Sequence, residues 1–165
     1  TPAKNVSRGI SFLAQANRVF DELSVMENLK IGAYKMPHFE ASQRIEHVLE
    51  LFPELRSRLN DNSGKLSGGQ QQQLALSRAL IQKPKLLLLD EPSLGLSPKL
   101  IKQIFGKIVE VNKELNISVL IVEQKVKEVL KICDKVYSLK HGKVAFGGNS
   151  TALINNGSKL KELFL

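Results

Sequence analysis

Four consecutive leucines, Leu86 to Leu89, lead directly into two acidic residues, and no other feature constrains the fold of this chain so strongly. A short apolar run that follows a turn residue, here Pro84, predicts a buried strand of an α/β sheet. Asp90 and Glu91 then lie at the carboxyl end of that strand, which is the edge where α/β sheets bind their ligands. Two adjacent carboxylates at this edge predict a site for a metal ion and for the activation of a water molecule.

A second motif, Leu66-Ser67-Gly68-Gly69-Gln70, has the chemistry of a phosphate grip. Ser67 can cap the helix that begins here, and the two glycines allow backbone N–H groups to approach an anion closely. The positive end of the helix dipole favours an anion at the same place. Each motif alone is common, because Ser-Gly-Gly is usually a loop and an apolar run that ends in acids is usually a core strand. Residues 70–80 are predicted to join the two motifs as a helix, and the pair in this order is far more specific.

Between the first strand and Pro84, the pattern predicts a mostly helical block. Residues 9–14 are strand-like, and a loop follows. Ser24 and Glu27 form a capping-box signature for a helix that continues to about Ala33. A second helix is indicated by apolar residues at helical spacing, namely Ile45, Val48, Leu49 and Phe52.

After Pro84 the pattern changes to alternating strands and helices. Ser97 and Pro98 are a strong helix start, and Asn116 ends that helix. A fully apolar strand follows, and then a hairpin and a short helical tail. A strand, a helix and a parallel strand of these lengths fit a βαβ unit. The predicted fold class is α/β, with residues 1–15 and 84–165 as the core and residues 16–83 as a helical subdomain.

The composition indicates a soluble, intracellular chain with one hydrophobic core. Its 165 residues are 42% hydrophobic, and no apolar run approaches the length of a membrane span. The net charge is +8, but the lysines are spread along the chain and alternate with glutamates, and tryptophan is absent. A platform on which nucleic acid bases could stack is therefore not predicted. The single cysteine excludes an internal disulfide framework.

The two motifs, in this order and joined by a helix, resemble the signature motif and the Walker B segment of the ATP-binding-cassette (ABC) ATPases. The resemblance covers nearly the whole chain. Residues 9–15 are similar to the strand that ends in the family's Q-loop glutamine, here Gln15. Residues 93–97 occupy the position of the D-loop, and residues 121–124 occupy the switch position. The resemblance implies a P-loop NTPase (RecA-like) core with an inserted α-helical subdomain.

Within this family, the chain is most similar to the second ATPase subunit of the branched-chain amino acid importers. Four stretches carry this narrower resemblance: Arg18-Val19-Phe20, Leu23 to Leu29, Leu51 to Leu55 and the four consecutive glutamines. Gln124 also supports it, because most ABC ATPases have a histidine at this position. An amide can hydrogen-bond a phosphate oxygen or a water molecule, but it does not titrate near neutral pH.

The P-loop motif, G-x-x-x-x-G-K-[ST], does not occur in the sequence. Two glycine pairs have the required spacing, but the lysine does not follow either of them: Gly64 with Gly69, and Gly142 with Gly147. In the family this loop precedes the Q-loop, and here only fourteen residues precede Gln15. The resemblance therefore implies a truncated core, the carboxyl-terminal two thirds of a nucleotide-binding subunit. We expect this chain alone to be inactive.

The resemblance also assigns roles to the site residues. Glu91 is expected to be the general base that polarises the attacking water, and Asp90 to hold Mg²⁺. Gln15 is expected to contact the same metal or water through its carbonyl oxygen, and Gln124 to assist catalysis. Contacts to ATP are expected from the signature motif and the D-loop, namely from Ser67, Gly68, Gly69, Gln70, Ser93 and Gly95.

The implied partners are a second ATP-binding subunit and membrane-spanning permease subunits. The signature residues would close over ATP held by the P-loop of the second subunit, in a head-to-tail homodimer or heterodimer. The permease would contact the groove between the helical block and the core. This implies a cytoplasmic protein, held peripherally at the inner face of the cell membrane through the permease, with no nucleic acid partner.

Three classes of function remain open. The first is the ATP-hydrolysing subunit of an importer for branched-chain or other amino acids, present without its Walker A segment. The second is an ABC ATPase of another branch, which serves urea import, lipopolysaccharide export or no transport at all. The third is a non-enzymatic remnant that keeps only the dimer-facing signature surface.

Overall fold

The computed structural model describes residues 1–15 and 19–164, which fall into two compact units. The first unit is Thr1–Val122 and the second is Glu123–Leu165. In chain order, the first unit contains α1 (Pro2–Ser7), β1 (Ile10–Leu13), α2 (Val25–Gly32), α3 (His38–Leu51), two 3₁₀ helices (Pro53–Arg58 and Ser63–Lys65), α4 (Gly68–Leu80), β2 (Leu86–Asp90), α5 (Pro98–Leu115) and β3 (Ser118–Val122). The second contains α6 (Val126–Val129), β4 (Lys135–Lys140), β5 (Lys143–Asn149), α7 (Thr151–Ile154) and α8 (Gly157–Phe164).

The first unit is built on a parallel sheet in the order β1-β2-β3. Leu13 pairs with Leu89, and Leu89 pairs with Ile121. Because the strands are parallel and in register, their carboxyl ends meet at one edge of the sheet. Gln15 lies two residues after Leu13, and Glu91 lies two residues after Leu89. The register therefore brings the backbones of Gln15 and Glu91 to the same edge.

The two faces of this sheet differ in burial. On one face, Leu13, Leu87 and Leu89 are at most 5% exposed. On the other face, Phe12 and Leu120 lie in the same row across the sheet and are 61% and 56% exposed. Asp90 alternates with the buried residues of β2 and therefore belongs to this second, open face.

The predicted helices of the inserted block are present, and their caps explain where they begin. Ser24 accepts a hydrogen bond from the Glu27 N–H, and Glu27 accepts one from the Ser24 N–H, so the predicted capping box is confirmed. Helix α3 ends at Leu51, one residue before the predicted apolar stripe ends, and Phe52 is buried at its C-cap. The predicted start of α5 is also confirmed, with Ser97 at the N-cap and Asn116 in a left-handed conformation after the last turn.

Helix α1 is an element that the sequence analysis did not predict. It has six residues, begins after an N-cap threonine and has proline in its first turn. Six residues are too few for a hydrophobic period to be recognised. The fold class itself, an α/β core of the P-loop NTPase type with helices inserted between β1 and β2, is confirmed.

The predicted helical subdomain, residues 16–83, has α2, α3 and α4 within it, and all three belong to the first unit. Its proposed boundaries therefore differ from the division into two units, and they stay a prediction. Arg18, which contributes to the narrower resemblance, lies outside the described residues.

The second unit contains the predicted hairpin. Strands β4 and β5 are antiparallel, and Lys140 pairs with Lys143 across a two-residue turn. The turn residues His141 and Gly142 both have positive φ, at 50° and 75°. Positive φ at both central residues is the geometry of the type I′ turn, whose twist matches that of a hairpin.

None of the helices within residues 1–15 and 19–164 combines the length and the hydrophobicity that a membrane span requires.

Candidate functional site

Glu91 has an unusual backbone conformation directly after β2. Its φ is 46°, which lies in the left-handed region that a non-glycine residue adopts at a cost of about 1–3 kcal/mol. Two hydrogen bonds stabilise this conformation. The Glu91 N–H donates to the Val122 carbonyl oxygen at 2.9 Å, and the Glu91 carbonyl oxygen accepts from the Leu94 N–H at 3.0 Å. The neighbouring strand and the following turn therefore fix the direction in which the chain leaves β2.

Gln15 and Glu91 are joined by a direct hydrogen bond. The Gln15 Nε2 atom donates to the Glu91 Oε2 atom at 2.7 Å, across 76 positions of sequence. The bond lies at the exposed carboxyl edge of the sheet, so a ligand can reach it. Two of the three residues predicted to be catalytic are thus in contact.

Asp90 is half-buried and lies one residue before Glu91, on the open face of the sheet. Since Gln15 donates through its amide nitrogen, its carbonyl oxygen Oε1 is the atom that it would offer to a cation. A carboxylate and an amide oxygen suit Mg²⁺, which prefers hard oxygen ligands and retains water or phosphate in its remaining positions. In the described part of the chain, no group of three or more histidine, cysteine and acidic side chains could hold a metal ion. Asp90 and the Gln15 Oε1 atom are thus donors of the kind that a magnesium ion shared with a nucleotide would use.

The predicted signature motif, residues 66–70, forms the beginning of α4. The Ser67 Oγ atom accepts from the Gln70 N–H at 3.4 Å, and the Gln70 Oε1 atom accepts from the Ser67 N–H at 3.0 Å. This reciprocal pair is a capping box that uses glutamine. The two glycines differ, because Gly68 is exposed whereas Gly69 is buried.

Each of the four consecutive glutamines has its own environment. Gln70 completes the cap, and Gln71 reaches back so that its Nε2 atom donates to the Ser63 carbonyl oxygen at 3.1 Å. Gln72 is only 3% exposed. The Oε1 atom of Gln73 is buried with no hydrogen-bond partner among the described residues. Four identical residues thus have four different surroundings on one helix.

Asn28 was missed by the sequence analysis, although it connects the segments on both sides of the predicted signature motif. It is fully buried in α2. Its Nδ2 atom donates to the carbonyl oxygens of Phe20 and Ser24, both at 3.1 Å, and to the Ser63 Oγ atom at 2.9 Å. Its Oδ1 atom accepts from the Phe20 N–H at 2.9 Å. The only trace in the sequence is a polar residue within the apolar stripe of an amphipathic helix, beside Leu29.

Arg78 of α4 completes this network. Its Nη1 atom donates to the Asn28 Oδ1 atom at 3.3 Å, and its guanidinium lies 4.8 Å from the centre of the Phe20 ring. Burial lowers the pKa of the Arg78 guanidinium from its ordinary value, although an arginine remains charged at neutral pH. Phe20 is therefore held by its backbone to α2 and by its ring to α4.

Replacement of Asn28 by leucine, which has a similar size, should lower the free energy of unfolding by about 2–4 kcal/mol. The reason is that the substitution leaves the Phe20 backbone, the Ser63 hydroxyl and the Arg78 guanidinium without this buried partner. Denaturant unfolding of the two proteins measures the difference. Asn62→Leu is the matched control, because Asn62 is only half-buried and its Oδ1 atom accepts a hydrogen bond from the N–H of Gly64, two residues away, at 2.9 Å. Equal losses in the two variants would contradict a special role of Asn28.

The predicted D-loop contains one buried residue and one glycine with positive φ. Ser93 is 0% exposed, and Gly95 has a φ of 72°. Leu94 between them is 44% exposed. The contacts of Ser93 and Gly95 with ATP stay predictions.

Gln124 belongs to the second unit, whereas Gln15, Asp90 and Glu91 belong to the first. Its N–H and that of Lys125 both donate to the Glu123 Oε1 atom, at 2.9 and 3.1 Å. Glu123 thus caps the backbone that follows β3. The contribution of Gln124 to catalysis stays a prediction.

A groove of about 300 Å³ lies in the first unit, between β1 and the helices α2 and α4. Most of its lining is apolar or small, and Arg78 and Gln82 contribute polar groups. Phe12 and Tyr34 line it and are 61% and 73% exposed. The groove therefore presents two exposed aromatic side chains at its surface.

Comparison with known proteins gives consistent results at three levels. The family model described as "ABC transporter" matches residues 1–94. The chain is 42% identical over 155 residues to the probable branched-chain amino acid transport ATP-binding protein LivF of Archaeoglobus fulgidus, covering 94% of this chain and 66% of that protein. It is 41% identical over 165 residues to the high-affinity branched-chain amino acid transport ATP-binding protein BraG of Pseudomonas aeruginosa, covering 99% of this chain and 70% of that protein.

Among solved structures, the chain is similar to cbiO1 of Clostridium perfringens, which is part of the ABC transporter complex cbiONQ. The TM-score is 0.83 at 29% identity, and the match covers 98% of this chain and 64% of that one. The chain thus spans about two thirds of the length of the curated relatives that it matches. With 41–42% identity to two such relatives and a family model that matches more than half of its residues, the chain belongs to the ABC transporter family of ATP-binding proteins.

Proposed function

We propose that this chain is the greater part of the ATP-hydrolysing subunit of an amino acid importer, with branched-chain amino acids as the favoured substrates. The observation that carries the proposal is the hydrogen bond between Gln15 and Glu91 at the carboxyl edge of the sheet, next to Asp90. The choice of substrate is supported by the two relatives at 41–42% identity, both of which are named as branched-chain amino acid transport proteins.

In the proposed reaction, a water molecule attacks the γ-phosphorus of ATP, and the bond to the oxygen that bridges the β- and γ-phosphates breaks. Glu91 accepts the proton of this water, and the rigid backbone at Glu91 keeps the carboxylate at the edge of the sheet. Gln15 orients the carboxylate through the 2.7 Å hydrogen bond. Asp90 would hold Mg²⁺, which when bound would offset the negative charge of the phosphates. Gln124 would hydrogen-bond the phosphate or the water.

The predicted signature motif would act on a nucleotide that belongs to a second subunit. Ser67 and Gly68 are exposed at the amino-terminus of α4, where backbone N–H groups and the helix dipole favour an anion. ATP held by the partner would thereby join two subunits head to tail. Closure of the dimer would then convert the binding energy of ATP into movement of the permease, and the subunit would reside at the inner face of the membrane through that contact.

The first test is exchange between relatives. We call the test protein the BraG chimera. In it, residues 1–165 of this chain replace the matching part of the Pseudomonas aeruginosa protein, and the segment of that protein that precedes the matching part is kept. Together with the other subunits of that importer, the chimera should restore uptake of labelled leucine to cells that lack the original subunit. ATP-dependent dimerisation without leucine uptake would favour another branch of the family. If the chimera showed neither ATP-dependent dimerisation nor ATP hydrolysis, a non-enzymatic remnant would be favoured.

Residues 1–165 alone should have no measurable ATPase activity and should bind ATP weakly, with a dissociation constant well above the micromolar range. The sequence lacks the glycine-rich loop and lysine that cradle the phosphates in this family. Isothermal titration with Mg-ATP measures the affinity, and the BraG chimera is the positive control. Micromolar binding at a single site of the chain alone would contradict this prediction.

The groove beside β1 is the proposed contact for the permease. Ala79→Arg would place a long, charged side chain in its lining, so leucine uptake through the BraG chimera should fall at least tenfold. Hydrolysis by the chimera without permease should be retained, and its measurement separates loss of the permease contact from damage to the fold. Ala152→Arg, at an exposed position of α7, is the matched control. Normal uptake by the Ala79 variant would place the permease contact elsewhere.

A further inference from the structure

Two glycines stand side by side at the start of α4, and their surroundings indicate that they serve different purposes. Gly68 is exposed, whereas Gly69 is buried. A Cβ atom added at Gly69 would lie 2.8 Å from the Cδ2 atom and 3.2 Å from the Cδ1 atom of Leu100. A separation below 3.0 Å is shorter than normal carbon–carbon contact, so a side chain at Gly69 would displace Leu100.

The backbone of Leu100 is fixed at the start of α5, and its side chain is half-buried. It is the third residue of α5, and its N–H donates to the Oγ atom of the N-cap residue Ser97 at 3.5 Å. The buried residues that follow on the same helix, Ile101 and Ile104, anchor α5 in the core. The backbone of Leu100 therefore has limited freedom to move away from Gly69, and a side chain at residue 69 would require rotation of the Leu100 side chain or a shift of α4 against α5.

The contact joins the amino-terminal turns of two helices. Gly69 is two residues after the Ser67 cap of α4, and Leu100 is three residues after the Ser97 cap of α5. The segment immediately before α5 is the predicted D-loop, residues 93–97. The predicted signature motif and the helix that follows the predicted D-loop are thus in contact where Leu100 packs on Gly69.

We propose that Leu100 is a positioning residue that sets the position of the amino-terminus of α4 relative to that of α5, and that residue 69 is glycine because of this contact. Gly68, in contrast, is the glycine that leaves the surface open for a ligand. The consequence for ATP-driven dimerisation rests on the proposed function, whereas the packing relation between Gly69 and Leu100 stands independently of it.

The test is a swap of one methyl group between the two helices. Gly69→Ala adds a methyl group, and Leu100→Val removes one carbon, so the double variant nearly conserves volume. Thermal unfolding of residues 1–165 is compared for the parent, for each single variant and for the pair. Gly69→Ala should lower the midpoint by roughly 3–6 °C, and Leu100→Val should restore most of that loss.

Gly68→Ala is the matched control for the backbone effect of replacing glycine by alanine. Its effect on the midpoint should be the same with leucine or valine at position 100. If Gly69→Ala and Leu100→Val instead have additive effects on the midpoint, the two residues are not coupled and the proposal is overturned.

The functional readout is ATP-dependent dimerisation of the BraG chimera in a hydrolysis-blocked Glu91→Gln background, followed by light scattering. Gly69→Ala should reduce the dimer at least tenfold, and the double variant should recover it to within about threefold. Recovery of the unfolding midpoint without recovery of the dimer would overturn the proposal. Glycine would then be required at position 69 for contact with the ligand and not for packing on Leu100. An unsubstituted chimera that forms no ATP-dependent dimer would contradict the proposed function alone, and the unfolding comparison would still decide the packing relation.

Discussion

Replacement of Glu91 by glutamine should reduce ATP hydrolysis by the BraG chimera by roughly a hundredfold or more, which is the usual effect of losing a general base. The substitution preserves size, and the amide oxygen can still accept the hydrogen bond from the Gln15 Nε2 atom. The backbone bonds to Val122 and Leu94 do not involve the side chain. The fold and ATP binding should therefore persist, and the closed dimer should accumulate because its ATP is no longer hydrolysed.

Phosphate release measures hydrolysis, and light scattering measures the dimer. Glu114→Gln is the matched control, because Glu114 is exposed on α5 and the substitution removes the same charge. Hydrolysis by the Glu114 variant should remain within a factor of about two of the parent. Unchanged turnover in the Glu91 variant would show that this residue only terminates β2.

Replacement of Ser67 by arginine should abolish ATP-driven dimerisation and, with it, hydrolysis. The substitution removes the hydroxyl that accepts from the Gln70 N–H and places a bulky cation at the exposed amino-terminus of α4. Loss of the cap alone costs about 1 kcal/mol, which is too little to unfold the protein. ATP binding by a single subunit of the BraG chimera should be retained, because the P-loop expected to hold that ATP belongs to the preceding segment and not to α4.

Ser67→Ala separates the two effects of this substitution, since it removes the cap without adding bulk or charge. It should weaken the dimer far less than arginine does. Both variants are compared in the Glu91→Gln background with and without ATP, so that hydrolysis does not deplete the dimer. Equal amounts of ATP-dependent dimer in the parent and in the arginine variant would rule out the proposed grip on the partner's phosphate.

The sequence was sufficient for those features that depend on neighbours along the chain. The caps at Ser24, Ser67 and Ser97 were predictable because a cap involves residues only three positions apart. The strand before Asp90 was predictable because a short apolar run has few other solutions in an α/β chain. The left-handed conformation of Glu91 was not predictable, since it depends on a hydrogen bond from its backbone to β3.

Contacts between distant segments required the structure. The hydrogen bond of Gln15 to Glu91 depends on the register of two parallel strands that are separated by the whole helical block. Asn28 could be noticed as a polar residue in an apolar stripe, but its partners Ser63 and Arg78 lie 35 and 50 positions away. The different surroundings of the two glycines in the signature motif also leave no trace in the sequence, because the residue that distinguishes them is Leu100 on another helix.

The positive φ of Glu91 has a consequence for efforts to make this protein more heat-resistant. Glycine adopts this conformation without steric penalty, so Glu91→Gly would relieve about 1 kcal/mol or more of backbone strain, part of which the greater freedom of glycine in the unfolded chain offsets. A selection based on thermal tolerance alone could therefore enrich Glu91→Gly, which removes the residue proposed as the general base. Relief of strain at this position would come at the expense of turnover, so a library built from this chain should keep residue 91 fixed.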